Sequence, residues 1–294
     1  MAALEVPRNL AETARLEDPD GLREWVAELS RVVPELAEKW SLCLGDPYQP
    51  GGQCSWVAPA RSSRGDDLVL KVGWRHTEAA HEAEAFRLWG GHGAVRLHAA
   101  YEWDQTSALL LERCVPGTPL GEAEPEPEQD LIVAGLLRQL WLRPPDGHPF
   151  RPLRIMCDEW TDEFEQKFQR FPDSIDRGLA REGMAMFRSL PRTAEREALL
   201  CTDLHAGNVL AARRQPWLVI DPKPYVGDPT YDALQHMLNC EDRLRMDPAG
   251  FARRMADLLD LHAGRLLAWL FARCVQESID QPLLREVATR VTPR

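Results

Sequence analysis

Asp203, Asn208 and Asp221 are the residues of this sequence best suited to chemistry by type and spacing. The first two bound Asp203-Leu-His-Ala-Gly-Asn208; the third follows thirteen residues later in Ile220-Asp221-Pro-Lys-Pro, with an apolar hairpin between the two polar clusters. A carboxylate can orient or deprotonate a hydroxyl, and a carboxylate with an amide oxygen can hold magnesium on the β- and γ-phosphates of a nucleotide. That set is the minimum for phosphoryl transfer. Upstream, Leu68-Val-Leu-Lys71-Val is an apolar strand run carrying one lysine, in the place from which a lysine reaches the α- and β-phosphates. Taken alone, Asp203 and Asn208 also suit a turn in which both cap backbone groups. Their order with Lys71 and Asp221 favours the chemical reading.

These residues need elements to hold them. Residues 20–40 place Leu22, Trp25, Val26, Leu29, Val32 and Val33 at helical spacing, and Pro34 predicts a break into two short amphipathic helices. Short apolar runs at 40–44, 56–60, 68–72, 95–101 and 108–112, separated by Gly, Pro, Ser and Asp, predict an antiparallel meander. A helix is expected over 77–90, opened by Thr77 and closed by Gly90 and Gly91. The segment 116–130, with four prolines and five acidic residues, reads as an exposed crossing. Beyond it helices are expected at 130–142, 158–168, 176–190, 229–239, 250–264 and 265–278, with a strand-like break at 209–220. The class is therefore α+β, with a small antiparallel sheet lobe over 1–114 and a larger, mainly helical lobe over 115–294.

Composition narrows the partners. The chain has 294 residues, 35 Lys and Arg against 46 Asp and Glu, and a formal net charge of −11. A chain this acidic lacks the basic footprint that binding to nucleic acid requires. The most apolar helical stretch, 258–270, is interrupted by Asp260, His262 and Arg265, short of a membrane span. Seven scattered cysteines without a C-x-x-C pair read as reduced thiols of a cytoplasmic protein, and Met1-Ala-Ala-Leu-Glu-Val-Pro lacks the features of an export signal.

The D-x-x-x-x-N spacing followed by a strand and Asp221 is that of the kinase catalytic loop and its second metal ligand. In Cys201-Thr-Asp-Leu-His-Ala-Gly-Asn-Val-Leu210 and Val219-Ile-Asp-Pro-Lys-Pro-Tyr-Val-Gly-Asp-Pro-Thr-Tyr-Asp232 the chain resembles the aminoglycoside and hydroxyurea antibiotic-resistance kinases, over about residues 40–240. The resemblance implies a bilobal protein-kinase-like fold, ATP and Mg2+ as cofactors with the phosphates held between the lobes, and transfer of the γ-phosphoryl group to a hydroxyl of a small polar substrate of the streptomycin type. Hydroxyurea, an unidentified metabolite, or a catalytically weak nucleotide-binding regulator are the alternatives. By the same match Asp203 is the catalytic base, Asn208 and Asp221 the magnesium ligands, and Lys71 with Glu82 the phosphate-positioning pair. Glu84 competes for that last place: the two glutamates lie about 200° apart on a helix, so one of them faces Lys71, and the family's pattern favours Glu82. The chain departs from the family's usual His-Gly-Asp at Cys201-Thr202, a change that bears on how the loop is supported rather than on the base.

Other candidates are weaker. Gly51, Gly52 and Ser55 sit in a loop that is either a phosphate cover or a plain hairpin connection. Glu112 to Cys114 end the last strand before the crossing, where a hinge backbone would pair with adenine. His236 with Cys240, and Cys201 with His205, have metal-like i,i+4 spacing but no third and fourth ligand, and read as packed residues, His205 supporting the loop. Asp158, Glu159 and Asp162 share one side of a predicted helix. They are either a solvated face or the site of a cationic substrate.

Overall fold

The computed structural model describes residues 4–16 and 21–293, so Met1 to Ala3 and Asp20 of the stretches just named lie outside the described residues. The chain divides into two compact units between Gly117 and Thr118.

In the first unit, α1 (Arg8–Leu16) and α2 (Leu22–Lys39) precede β1 (Leu42–Leu44), β2 (Ser55–Ser62) and β3 (Asp67–Trp74). Then come α3 (Glu82–Trp89), β4 (Leu97–Trp103) and β5 (Thr106–Glu112). The five strands form one antiparallel sheet in the order β1-β2-β3-β5-β4. Alternation along β3 buries Leu68, Leu70, Val72 and Trp74 on the face that carries the core with α2, and so turns Lys71 to the opposite face. Trp25 of α2 ties the layers together by donating its indole N–H to Thr106 Oγ1 of β5 at 3.0 Å.

Two expectations are corrected in this unit. Residues 22–39 form one helix that runs through Pro34 rather than two. An interior proline costs about 3 kcal/mol, but Leu22, Trp25, Leu29, Val32, Val33 and Leu36 are all buried along this one helix, and burying a large apolar side chain returns about 1.5–3 kcal/mol. The helix expected from Thr77 starts at Glu82: residues 77–79 make a single 3-10 turn, and His81, at φ 68°, breaks the path in the left-handed region.

The second unit opens with α4 (Leu120–Ala123), α5 (Glu126–Leu140), β6 (Arg151–Pro152), α6 (Leu153–Arg170) and α7 (Arg177–Ser189), the last extended by a 3-10 turn over 190–193. It continues with β7 (Ala198–Leu200), β8 (Val209–Ala211), β9 (Trp217–Val219) and β10 (Tyr225–Gly227). It closes with α8 (Pro229–Asp232), α9 (Leu234–Leu238), α10 (Glu241–Met246), α11 (Pro248–Leu259), α12 (Ala263–Glu277) and α13 (Pro282–Arg290). α12 is the central rod, buried without interruption from Trp269 to Val275. Gly183 of α7 lets it approach closely, since a β-carbon there would stand 2.6 Å from Val275.

The proline-rich segment 116–130 is not wholly an exposed crossing. Leu120 is fully buried in α4, and α5 begins four residues before its expected start, with Pro125 and Pro127 at helix-initiating positions where a missing N–H costs nothing. Asp130, also fully buried, accepts hydrogen bonds from His236 Nε2 (2.9 Å), both terminal nitrogens of Arg243 (2.9 and 2.7 Å) and Arg254 Nε (2.7 Å), so one carboxylate joins α5 to α9, α10 and α11. No helix among the described residues is long and apolar enough to cross a membrane.

Candidate active site

In the first unit, Lys71 and Glu82 form a largely buried ion pair: Nζ donates to both carboxylate oxygens, at 2.8 and 2.7 Å. The strand's alternation turns the lysine away from the α2 core, and the left-handed turn at His81 places Glu82 in the first turn of α3, where a carboxylate also meets the positive end of the helix. Glu84 points elsewhere and pairs with Arg87 at 2.8 Å. Replacing Glu82 with glutamine should therefore lower stability by about 2 kcal/mol, because a buried ammonium loses its counter-charge. The same change at Glu84 should stay within about 0.5 kcal/mol, as an exposed pair does. Urea unfolding of the two variants checks both values.

The other first-unit candidates are placed differently. Gly51 has φ 77° and a carbonyl that accepts from Asn9 Nδ2 at 2.8 Å; a β-carbon on it would stand 2.4 Å from Pro7. Packing against the N-terminal segment thus accounts for this glycine. A β-carbon on Gly52 would meet Ser55 Oγ at 3.1 Å, and Ser55 begins β2. Glu112 ends β5 with its backbone and carboxylate both engaged by the backbone of Arg96, and Cys114 is buried just beyond.

In the second unit, Asp203, Asn208 and Asp221 are brought together by two short strand connections. β7 runs straight into Cys201, and β10, paired antiparallel to it, leads back to the Asp221 loop. Lys223 N donates to the Cys201 carbonyl at 2.8 Å, and Thr202 Oγ1 donates to the Lys223 carbonyl. The β8–β9 hairpin closes the other side, where Ile220 N donates to the Asn208 carbonyl at 2.9 Å. Asn208 Nδ2 donates to the Asp203 backbone carbonyl at 3.0 Å and lies 3.5 Å from its Oδ2, which leaves the amide oxygen of Asn208 as an acceptor. Asp221 Oδ1 is 3.1 Å from Lys223 Nζ. Thr202 and Asp221 both hold positive φ, 49° and 51°, an uncommon backbone for such residues and one that collects at functional loops.

His205 supports the loop as expected. Its Nδ1 accepts from Gly207 N at 3.1 Å, and burial pushes its pKa down, consistent with the neutral ring that this bond requires. The loop's main support is a residue that sequence reasoning gave no role. Asp232, fully buried, accepts from Cys201 N at 3.0 Å, from Thr202 N at 2.6 Å and from Trp141 Nε1 at 3.0 Å. The contacts that Asp232 makes at 201 and 202 use backbone N–H groups, so this support does not depend on which side chains stand at those two positions. Asp228 is a second such anchor, capping α8 through Thr230 N and accepting from Arg265 Nε (2.6 Å) and Trp269 Nε1 (2.7 Å). The one sequence signal for both is a pair of aspartates four apart in the apolar run Tyr225 to Leu234.

The acidic run is brought to arginines. Asp158 pairs with Arg192 at 2.6 Å, Asp162 with Arg188 at 2.5 Å, and Glu159 lies 4.0 Å from Arg151. The charge that sequence reading offers to a cationic substrate is therefore largely compensated within the unit, because α7 and its 3-10 extension carry matching cations.

The chain is similar in sequence and in fold to known phosphotransferases. The sequence profile described as aminoglycoside/hydroxyurea antibiotic resistance kinase matches residues 40–280. Streptomycin 6-kinase of Streptomyces glaucescens is 32% identical over 284 residues, covering 94% of this chain and 90% of its own. Hydroxyurea phosphotransferase of Kitasatospora aureofaciens is 34% identical over 283 residues, covering 95% and 80%. Among solved structures, the macrolide 2'-phosphotransferase of Brachybacterium faecium superposes with a TM-score of 0.56 at 17% identity over 91% of this chain and 99% of its own, a likeness of fold. The architecture, an antiparallel sheet unit followed by a mainly helical unit, is the kinase-like fold of that group.

Proposed function

This chain belongs to the aminoglycoside/hydroxyurea antibiotic resistance kinase family, and from that premise we propose that it transfers the γ-phosphoryl group of ATP to a hydroxyl of a small cationic substrate of the streptomycin type, with magnesium. Membership makes it a phosphotransferase with an alcohol group as acceptor. The observation that carries the finer reading is Asn208: its amide N–H holds Asp203, and its backbone carbonyl holds the strand end that precedes Asp221.

Each residue then has a distinct task. Asp203 accepts the hydrogen bond of the substrate hydroxyl, orients it for in-line attack and takes its proton. Asn208 fixes the backbone of Asp203 through Nδ2. Asp221 and the Asn208 amide oxygen are hard oxygen donors of the kind magnesium takes, and the ion, when bound, neutralises phosphate charge. Lys71, held by Glu82, supplies a fixed cation for the α- and β-phosphates, and Lys223 steadies Asp221. Gly52, Ser55 and the backbone at Glu112 to Cys114 remain proposed nucleotide contacts. The seven cysteines are all free thiols, which fits a reducing cytoplasm where ATP is available.

The test is mass spectrometry of products after incubation with ATP, magnesium and a panel of streptomycin, other aminoglycosides, hydroxyurea and amino sugars. A phosphorylated streptomycin-type product is expected. Hydroxyurea is the second reading, favoured by the 34% identity to a hydroxyurea phosphotransferase, and phosphorylation of hydroxyurea alone would select it. A panel left unmodified would overturn both.

A further inference from the structure

Lys223 is the one lysine or arginine in the two loops that carry Asp203, Asn208 and Asp221: residues 201–208 contain neither type, and residues 220–224 contain only this one. Its backbone is fixed more firmly than a surface lysine needs. Pro222 and Pro224 flank it, the first with φ locked by its ring and the second biasing Lys223 itself to extended backbone. Hydrogen bonds hold it from both sides, Lys223 N donating to the Cys201 carbonyl at 2.8 Å and Thr202 Oγ1 donating to the Lys223 carbonyl. Residue 223 is thereby anchored to the two residues that lead into Asp203.

The side chain is 23% exposed, and Nζ donates to Asp221 Oδ1 at 3.1 Å. That bond uses one of three ammonium N–H groups, and the other two have no acceptor among the described residues. Neutralising Asp221 requires no such restraint, since a flexible surface lysine would do it without the cost of ordering the side chain and drawing its charge out of water. The ammonium is held beside the Asp203 loop with donors to spare. In the proposed reaction the acceptor oxygen bonds to the γ-phosphorus as the bond from that phosphorus to the β–γ bridging oxygen breaks. The electron pair of that bond leaves with ADP, and the hydroxyl proton passes to Asp203. Negative charge is spread over the three remaining oxygens of the moving group, and fixed cations aimed at them lower the barrier. Asp203 and Asp221 add two further negative charges there, and Lys223 is the cation that their loops supply.

We propose that Lys223 is a catalytic residue that contacts the terminal phosphoryl group of the nucleotide, one N–H remaining on Asp221 and the other two donating to phosphoryl oxygens. The proposal rests on Asp203 and Asp221 being the transfer site. It gives Lys223, beyond steadying Asp221, the task of stabilising charge as the phosphoryl group moves.

Calorimetric titration of the whole chain with ADP and with the non-hydrolysable β,γ-imido analogue of ATP, each with magnesium, reads this contact without turnover, because the two nucleotides differ at the terminal group. Lys223→Met should weaken the triphosphate analogue about tenfold, the contribution of one hydrogen bond to a charged group, and leave ADP within about twofold. Retained ADP binding also shows that the variant is folded. Lys223→Arg keeps a cation and should recover the analogue to within about threefold of wild type. With an accepted substrate, Lys223→Met should lower kcat about 10²-fold and leave the KM of the acceptor unchanged. Equal weakening of both nucleotides overturns the contact and makes Lys223 a support of Asp221 alone; unchanged affinity for both overturns it outright. Selective loss of the triphosphate analogue with no acceptor phosphorylated sustains the contact and overturns the choice of acceptor. A wild type that binds neither nucleotide overturns the transfer reading and this contact with it.

Discussion

Asp203→Asn should lower kcat by about 10³-fold while the protein folds normally and ATP binds within about threefold of wild type. A positioned general base is worth about 10²–10⁴-fold, and the substitution removes the base while keeping the shape of the side chain. The loop around it does not depend on the carboxylate. Asn208 Nδ2 is held mainly by the Asp203 backbone carbonyl at 3.0 Å, and the Asp203 N–H by the Cys201 carbonyl at 2.7 Å, and both bonds survive. ATP affinity is expected to persist because the proposed phosphate and metal contacts lie on Lys71, Asn208 and Asp221. Single-turnover measurement with a phosphorylated acceptor as readout, beside calorimetric titration with ATP and magnesium, separates the two. A fall below about tenfold would mean that Asp203 orients nothing essential and that the base is another group. A parallel loss of ATP binding would assign Asp203 to the metal instead.

What could be read from the sequence follows from how local each contact is. Asp203, Asn208 and Asp221 lie in short loops joined by a hairpin, so their spacing along the chain is also their spacing in space. Lys71 follows from the period of a strand, and the pairing with Glu82 from the period of a helix that starts where a left-handed residue breaks the chain. The supports were not legible for the opposite reason. Trp141 and Asp232 are 91 residues apart, and Asp130 draws its partners from positions 106 to 124 residues away, so no local pattern couples them. The acidic run on α6 shows the same effect with its sign reversed. Within its own helix it reads as unbalanced charge, and the arginines that balance it come from 26 and 34 residues further on. Pro34 is a third case, a correct local penalty overruled by a buried stripe that local propensity does not count.

Those distant supports lead to the second large effect, at Asp232. It is a fully buried carboxylate that accepts from three N–H groups. Asp232→Asn can keep an oxygen where Oδ2 takes both Cys201 N and Trp141 Nε1, but it then sets its NH2 group against the Thr202 N–H, and both of these donors are left unpaired in the interior. At about 1–3 kcal/mol for each unsatisfied buried group, the variant should lose about 4 kcal/mol in urea unfolding at pH 7.5, and activity should fall because Cys201 and Thr202 lead straight into Asp203. The pH dependence provides a separate signature. Burial raises the Asp232 pKa, against the bonds from Cys201, Trp141 and Thr202, to about 6 from the usual 3.8. Between these two values the folded chain keeps a proton that the unfolded chain has released, so the contribution of this group to stability falls as pH rises through that window and is level above it. A shift of about two units corresponds to about 3 kcal/mol. The wild-type stability curve should therefore carry a downward component between about pH 4 and 6 that the Asp232→Asn curve lacks, and the difference between the two curves isolates it from the other carboxylates. Parallel curves over that range would show that Asp232 is ionised at its ordinary pKa, its burial offset in full by the three N–H groups. The loop would then be held by a permanent charge rather than by one sensitive to mild acid.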